Sequence, residues 1–286
     1  MAEAAQGAVL VTGSSTGIGR ACALRLDRDG FDVFAGVRAD ADADSLRSEA
    51  SERLLAVNLD VSEQATIEAA AERIAEATGG RLAGVVNNAG IAVAGPIEGL
   101  AGDDWRRQFD VNVLGQVAVT RALLPMLRAA QGRVVFMSSI GGRGSLPFTA
   151  PYNASKHAIE AIGDSLRQEM RPFGVEVSII EPGAIATPIW EKGNTSAAGA
   201  RATMSDEVRS LYGEGMDRLQ RLATKLGQGG IPPERVADAV AHALTASRPR
   251  TRYLVGTDAK IQARLGALLS DRGRDRLIAR MIRSRS

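Results

Sequence analysis

From residue 8 to about 183, short uninterrupted apolar runs alternate with longer stretches whose apolar residues recur at helical spacing. A strand that is apolar at every position is covered on both faces, and helices between such strands supply the cover. The expected architecture is therefore α/β with a mostly parallel sheet. Residues 8–12, 32–37, 54–59, 83–86, 133–137 and 175–180 read as six strands. A helix is expected over 17–28, closed by Gly30 at a C′ position. Another is capped by Ser62 and runs to Thr78, where Gly79 and Gly80 stop it. A long helix covers 103–130, and Pro125 should kink it or end it early. A fourth covers 151–171.

Past Pro182 the pattern loosens. Residues 193–202 read as small, polar and helix-poor, 204–226 as an amphipathic helix, 228–233 as a break and 233–246 as a helix. Residues 252–255 form a short strand that would complete the sheet. No repeat or linker divides the chain. One domain over 1–286 is the economical reading, with a core at 7–188, a substrate-side region at 189–230 and an extension at 258–286.

Two local patterns carry chemistry. The run Val9-Leu-Val-Thr-Gly-Ser-Ser-Thr-Gly-Ile-Gly joins a strand to a helix. Gly13, Gly17 and Gly19 allow close backbone approach, and Ser15, Thr16 and Ile18 share the turn, so a pyrophosphate would meet a helix N-terminus there. The spacing is Gly-x-x-x-Gly-x-Gly rather than the usual Gly-x-Gly-x-x-Gly, and a tight turn without ligand is the bland alternative. Tyr152 and Lys156 lie four apart and share a helix face. A neighbouring ammonium favours the phenolate, which would tune the tyrosine for proton exchange.

The remaining composition mostly excludes. A formal net charge of +2 gives no reason to expect nucleic acid. Cys22 is the single cysteine, so no internal disulfide forms and a cytoplasmic setting is expected, with the thiol a small buried hydrophobe. Residues 1–7 lack the basic and apolar regions of a secretory signal, and no run reaches about 18 apolar residues, so no membrane span is expected. His157 and His242 have no ligand-like companions, and no metal site is expected. The segment 260–285 is basic and amphipathic, with Leu265, Leu268, Leu269, Leu277, Ile278, Met281 and Ile282 among arginines. It would pack on its own protein, cover a pocket or lie on an anionic membrane.

Thr12-Gly-x-x-x-Gly-Ile-Gly, Asn87-Asn-Ala-Gly, Asn112, Ser139, Tyr152-x-x-x-Lys156 and Pro182-Gly occur in the order used by short-chain dehydrogenases/reductases, and the chain resembles that family over roughly 7–188. The stretches Phe31-Asp-Val-Phe-Ala-Gly and Asn153-Ala-Ser-Lys-His-Ala are similar to its retinol, hydroxysteroid and 3-hydroxybutyrate dehydrogenase subgroup. The resemblance implies one doubly wound Rossmann-type domain with a seven-stranded sheet of order 3-2-1-4-5-6-7, a helical substrate-side insertion and a C-terminal helical extension. It implies an oxidoreductase with Tyr152 as acid/base, Lys156 lowering its pKa and holding the nicotinamide ribose, Ser139 bonding the reacting oxygen and Asn112 holding a water beside the lysine. Singly, each has a structural reading, such as a strand-end turn for Ser139 or a helix kink for Asn112.

By the same resemblance, the glycine turn, Arg38, Asp60, Val61, Asn88, Ala89, Gly90, Pro182, Gly183, Ile185 and Thr187 border the cofactor. Arg38 ends the second strand, where an arginine accommodates the 2′-phosphate of NADP and an acid would favour NAD. NADP is expected, with NAD the alternative. The substrate side, built from 140–148 and the region after Pro188, shows little fixed charge. Ile189, Trp190, Met204, Leu211, Tyr212, Met216 and Leu219 would line a pocket for a lipophilic alcohol or ketone, or form plain helix core. Two other readings are a dehydrogenase of a small hydroxy acid, with Lys192 or Arg201 clamping a carboxylate, and a non-catalytic dinucleotide sensor. Relatives of this kind pair through two long helices, which implies a homodimer or homotetramer.

Overall fold

A computed structural model describes residues 6–283 of the chain, and the side chains to residue 280. The expectation for residues 1–5 lies outside the described residues, and that for Met281 and Ile282 outside the described side chains. Strands β1 (Ala8–Val11), β2 (Asp32–Val37), β3 (Leu54–Asn58), β4 (Gly84–Asn87), β5 (Arg133–Met137), β6 (Glu176–Pro182) and β7 (Arg252–Val255) form a parallel sheet. Its order is β3-β2-β1-β4-β5-β6-β7, as the resemblance implied. The order reverses between β1 and β4, which opens a crevice at the carboxyl edge beside the glycine turn.

Helices α1 (Gly17–Arg28), α2 (Asp40–Arg47), α3 (Gln64–Thr78), α4 (Gly102–Phe109), α5 (Gly115–Ala130), α6 (Ala150–Met170) and α9 (Glu234–Thr245) join these strands. Helices α7 (Ile189–Thr203) and α8 (Asp206–Gln228) stand on the substrate side, and α10 (Thr257–Leu268) and α11 (Asp271–Arg283) end the chain. Two apolar layers sandwich the sheet. One joins Leu26, Val33 and Val135 to Val236 and Val240 of α9. The other joins Leu10, Val85 and Phe136 to Leu123 and Leu127 of α5 and Ile159 of α6.

Four details depart from expectation. Helix α2 falls where no element was expected, and Ala43 and Leu46 bury one face of it. The small, polar segment 193–202 is helical within α7 rather than irregular. Ser62 does not cap α3: its hydroxyl donates to Asp60 at 2.6 Å, and Glu63 is the N-cap residue. Pro125 does not end α5, which continues to Ala130; Pro125 and Arg121, whose carbonyl loses its helical partner, both face solvent. The break falls instead at a π turn over Asp110–Leu114, between α4 and α5. The combined helix Gly102–Ala130 is long and apolar enough to cross a membrane by length and composition. Here it packs Val119, Leu123, Met126 and Leu127 into the core.

Candidate active site

The crevice is built first by backbone. Thr12 is fully buried at the end of β1, and its hydroxyl accepts the N–H groups of Asn88 and Ala89, each at 2.9 Å. The Asn88 amide donates to the carbonyls of Thr12 and Gly13 at 2.9 and 3.2 Å. Ser14 donates to Val11 O, and its own N–H reaches Gly36 O. The turn is thus stitched to β4 and β2 before any ligand arrives. Gly13 and Gly17 take φ of +66° and +58°, the left-handed region that favours glycine. A Cβ on Gly13 would press on Ala89, and one on Gly17 would press on Thr187.

A pyrophosphate fits this cradle. Thr16 is the N-cap residue of α1, but no side chain caps that helix, so the amides of its first turn face the crevice opening. Ser15 and Thr16 reach the surface beside them. Asn88 itself supports the turn, Asn87 is buried against Thr120, and Ala89 and Gly90 lie nearer the surface. At the end of β2 the exposed Arg38 lies 3.5 Å from Asp60. Burial opposes ionisation of Asp60, but hydrogen bonds from Ser62 and the Arg38 guanidinium outweigh it and hold the carboxyl below its usual value. Val61 is buried against Gly115 of α5, so packing is its visible role.

The proton-handling residues meet at the carboxyl end of β5. Ser139 follows that strand and accepts from the Gly141 N–H at 3.1 Å. Tyr152, in the first turn of α6, brings its phenol near Ser139, which favours the ionised form, and its ring edge flanks Gly141 beside Ser139 Oγ. One turn later the buried Lys156 donates to Met137 O, the last carbonyl of β5, at 2.7 Å, and its nitrogen is 5.7 Å from the Tyr152 ring centre. The pair expected from spacing alone therefore converges in the crevice.

Burial dominates the electrostatics. It holds the Tyr152 phenol above its ordinary value, against the opposing influence of Ser139. Lys156 is desolvated in the same crevice, and its ammonium donates to Met137 O. Burial brings Lys156 down to about 8, with Glu160 pulling the other way. A lysine with a depressed folded pKa costs stability while both folded and unfolded chains are protonated. That cost is lifted as pH rises from about 8 toward the unfolded value of about 10.4. In the cofactor-free protein, the stability gap between Lys156→Met and the parent should therefore shift by about 3 kcal/mol in the parent's favour across that window. Urea unfolding at a series of pH values measures it, and a gap that stays constant would contradict the burial of a charged lysine.

The Asn112 side chain is bonded on both its oxygen and its nitrogen. It lies in the π turn and is fully buried. Its amide oxygen accepts from Ile91 N at 2.8 Å, and its nitrogen donates to Ile91 O and to Ser155 Oγ at 3.0 and 3.1 Å. Ser155 in turn donates to the Tyr152 carbonyl at 2.7 Å. The Asn112 side chain is consumed in tying the loop after β4 to the helix that carries Tyr152. Gln108, absent from the sequence reading, does the same work, accepting from Val93 N and donating to Ile91 O. An isolated buried glutamine leaves no spacing signal.

After β6 the chain is held by residues that sequence did not reveal. Gly183 N bonds Val255 O, Ala184 N bonds Asp258 Oδ2 at 2.7 Å, and Trp190 Nε1 donates to Ile185 O at 2.7 Å. Ile185 pairs with Ile231 and turns its side chain into the core, as Pro182 is also buried, so this segment offers the crevice mainly backbone and Thr187. On the substrate side, Met204 and Met216 are buried with Ala200 and Val208 in a small core, with Tyr212, Leu100 and Phe148 against it. Phe148 and Tyr212 meet edge to face at 6.3 Å. Leu211 is 66 % exposed, and the Trp190 ring lies against Gly227. Most of the expected pocket residues are thus the internal packing of the cover itself.

Comparison with known proteins agrees with this geometry. A family model described as "short chain dehydrogenase" matches residues 7–198. The chain belongs to the short-chain dehydrogenase family. Mouse retinol dehydrogenase 5 is 40 % identical over 260 residues, covering 88 % of this chain and 81 % of that protein. Bovine 17-beta-hydroxysteroid dehydrogenase type 6 is 38 % identical over 258 residues, with the same coverage. A short-chain dehydrogenase/reductase from Burkholderia phymatum, solved in complex with NAD, superposes with a TM-score of 0.78 at 25 % identity, covering 93 % of this chain and 94 % of that one. Like its family, this chain is an oxidoreductase that uses a nicotinamide dinucleotide and acts on alcohols.

Proposed function

We propose that this short-chain dehydrogenase interconverts a lipophilic alcohol and its ketone or aldehyde, of steroid, retinoid or long-chain type, with preference for NADP. The observation that carries the reading is the convergence of Ser139, Tyr152 and Lys156 at the end of β5, in the crevice that the glycine turn opens. Nicotinamide supplies or accepts the hydride. Tyr152 gives its hydroxyl proton to the oxygen being reduced and takes it back in oxidation. Ser139 donates a hydrogen bond to the same oxygen as charge develops there. Lys156 adds positive charge beside the phenol and holds the ribose hydroxyls. The glycine turn receives the pyrophosphate, and the backbone after Pro182 with Thr187 borders the nicotinamide.

The lipophilic reading rests on relatives named for retinol and hydroxysteroid. Of the two cations expected to clamp a small hydroxy acid, Arg201 is already paired with Asp217 at 2.6 Å, while Lys192 is exposed; Arg143 is held by Glu181 at 2.8 Å. A non-catalytic sensor would need neither the serine nor the tyrosine. NADP preference rests on Arg38, 70 % exposed and free to turn toward a 2′-phosphate, although Asp60 competes for it. Turnover of a panel of ketones and aldehydes with NADPH or NADH tests both points. NADPH and long apolar substrates should be favoured. Arg38→Asp should shift preference toward NADH by about ten- to a hundred-fold, the worth of one charge-assisted contact. An unchanged ratio would remove the argument for NADP, and preference for short hydroxy acids would favour the alternative.

Three further properties are proposed with this reading. Cytoplasmic residence is supported by the single cysteine, Cys22, which is buried and pushed up to about 12 by desolvation. Pairing into a homodimer or homotetramer is supported by Leu114 and Val117, exposed on the α4–α5 helix. Peripheral membrane contact is supported by Ile261, Leu265 and Leu268, an exposed apolar stripe on α10 beside Lys260 and Arg264. Sedimentation velocity reads the second property and flotation with anionic vesicles the third. A monomer that ignores vesicles would remove both.

A further inference from the structure

Behind Ser139 and Lys156 lies a set of charges that the reaction as described does not use. Glu181, the residue before Pro182-Gly183 on β6, is fully buried. Its carboxylate accepts two parallel bonds from Arg143, Nε to Oε2 and Nη2 to Oε1, each at 2.8 Å. Arg252 on β7 approaches Glu181 Oε1 at 3.2 Å, donates to Glu160 Oε2 at 3.0 Å and reaches Asp164 Oδ2 at 2.6 Å. Glu160 stands one turn beyond Lys156 on α6, and its Oε1 is buried without a hydrogen-bond partner. The cluster therefore touches β6, β7, the helix of Tyr152 and Lys156, and the turn that follows Ser139.

Stability is a poor explanation for it. Desolvating an ion pair costs about as much as the pairing returns, and an apolar set of equal volume would serve folding as well. Geometry suggests another use. The Ser139 turn, Ile140–Gly142, is a single 3-10 turn whose bonds are mostly to itself: Gly141 N to Ser139 Oγ, Gly142 N to Ser139 O and Arg143 N to Ile140 O. Such a turn rotates as a unit unless something outside holds it. Gly142 is wedged on one side, where a Cβ would meet Ser138 Oγ, Glu160 Cγ and Lys156 O. The next residue, Arg143, supplies a two-point hold on the neighbouring strand. A planar fork bonded at both prongs fixes direction as well as distance.

We infer that Arg143 and Glu181 are positioning residues: through their paired bond they aim the Ser139 hydroxyl at the reacting oxygen. The inference rests on the proposed reaction and names residues that reading leaves out. Glu181 also leads directly into the Pro182-Gly183 backbone at the nicotinamide end, so one buried carboxylate sets the serine and that backbone relative to each other. Arg143 is thereby withdrawn as a partner for an anionic substrate.

The test is a double-mutant cycle between Ser139→Ala and either Glu181→Gln or Arg143→Lys. In the parent background, Glu181→Gln should lower kcat by about 10- to 100-fold, the effect of an oxyanion donor misplaced by a fraction of an ångström, with cofactor Kd within about two-fold. In the Ser139→Ala background the same change should cost less than about three-fold, because the group it aims is gone. Arg143→Lys, on a side chain that is 39 % exposed and so tolerant of change, should retain more activity than Arg143→Ala. Full additivity with Ser139→Ala would overturn the inference. Hydrogen exchange on the cofactor-free protein gives an independent arm: amides 140–144 should exchange faster in Arg143→Lys while those of α9 do not. Unchanged exchange at 140–144 would also overturn it. Absence of turnover in the parent with every substrate would instead sink the catalytic reading on which it rests.

Discussion

Tyr152→Phe should lower turnover about a thousand-fold or more, while cofactor affinity and thermal stability stay near those of the parent. The substitution deletes one oxygen and keeps the ring, so packing of α6 against the Ser139 turn is unchanged. The deleted hydroxyl is the group placed to exchange a proton with substrate: it meets Ser139, which can orient an oxygen but is a poor acid, while the Lys156 ammonium is committed to Met137 O. Positioned acid/base catalysis contributes about 10²- to 10⁴-fold, and the upper part of that range applies because the neighbouring Lys156 ammonium is held on Met137 O rather than aimed at substrate. The phenol is raised by burial, so it stays protonated at neutral pH and is ready to act as an acid in ketone reduction. Alcohol oxidation needs the ionised form, and its rate in the parent should climb as pH rises. The residual rate of Tyr152→Phe should lose that climb. Initial rates of nicotinamide absorbance change across pH measure both effects. A variant within ten-fold of the parent would end the assignment of Tyr152 as acid/base.

Gly19→Ala should disable the cofactor turn and destabilise the fold together. Gly19 is buried in the first turn of α1, and its φ is not positive, so conformational freedom is not the reason for glycine here. In an exposed helix the change to alanine would be favourable by about 1 kcal/mol. Sterics reverse the sign. An added methyl would fall inside the contact distance of the Gly13 carbonyl oxygen and the Asn88 amide nitrogen. Neither can retreat cheaply, since the first is backbone and the second is bonded to Thr12 O and Gly13 O. Forced overpacking costs about 1–3 kcal/mol and corresponds to about 2–5 °C in Tm for a chain of this size. Cofactor Kd should rise by at least about ten-fold, because the amides aimed at the pyrophosphate move with the turn. Calorimetry and fluorescence titration with the reduced cofactor check both. A raised Tm with unchanged affinity would mean that helix propensity decides this position and the turn is not a cofactor cradle.

How far the fold was legible follows from where each element draws its stability. The strands were readable because burial on both faces makes them apolar at every position, as in Val33-Phe-Ala-Gly-Val or Val134-Val-Phe-Met. Helix α2 was missed because its apolar face is only Ala43 and Leu46, too short for a period to emerge. Helix α7 was missed because glycine, asparagine, threonine and serine have weak helix preference, and packing against α8 overrides it. The expected pocket residues carried the right chemistry for a pocket and for a core alike, and only their neighbours separate the two uses.

The same division runs through the site. Tyr152, Lys156, Ser139 and the glycine turn were legible because their chemistry depends on residue type at short range: four residues along a helix, or a few along a turn. That much, with the ordered motifs, determined the family and the sheet and named the candidate reacting groups. The direction in which Lys156 points, the use of Asn112 as a strut to Ile91 and Ser155, the clamp of Asp258 on Ala184 and the Arg143–Glu181 bond were decided by tertiary structure alone. Each joins residues at least 19 positions apart, and Asp258 and Ala184 are 74 apart. Hydrogen-bond direction and desolvation are properties of the surroundings, and a linear pattern carries no term for surroundings that the chain assembles only when folded.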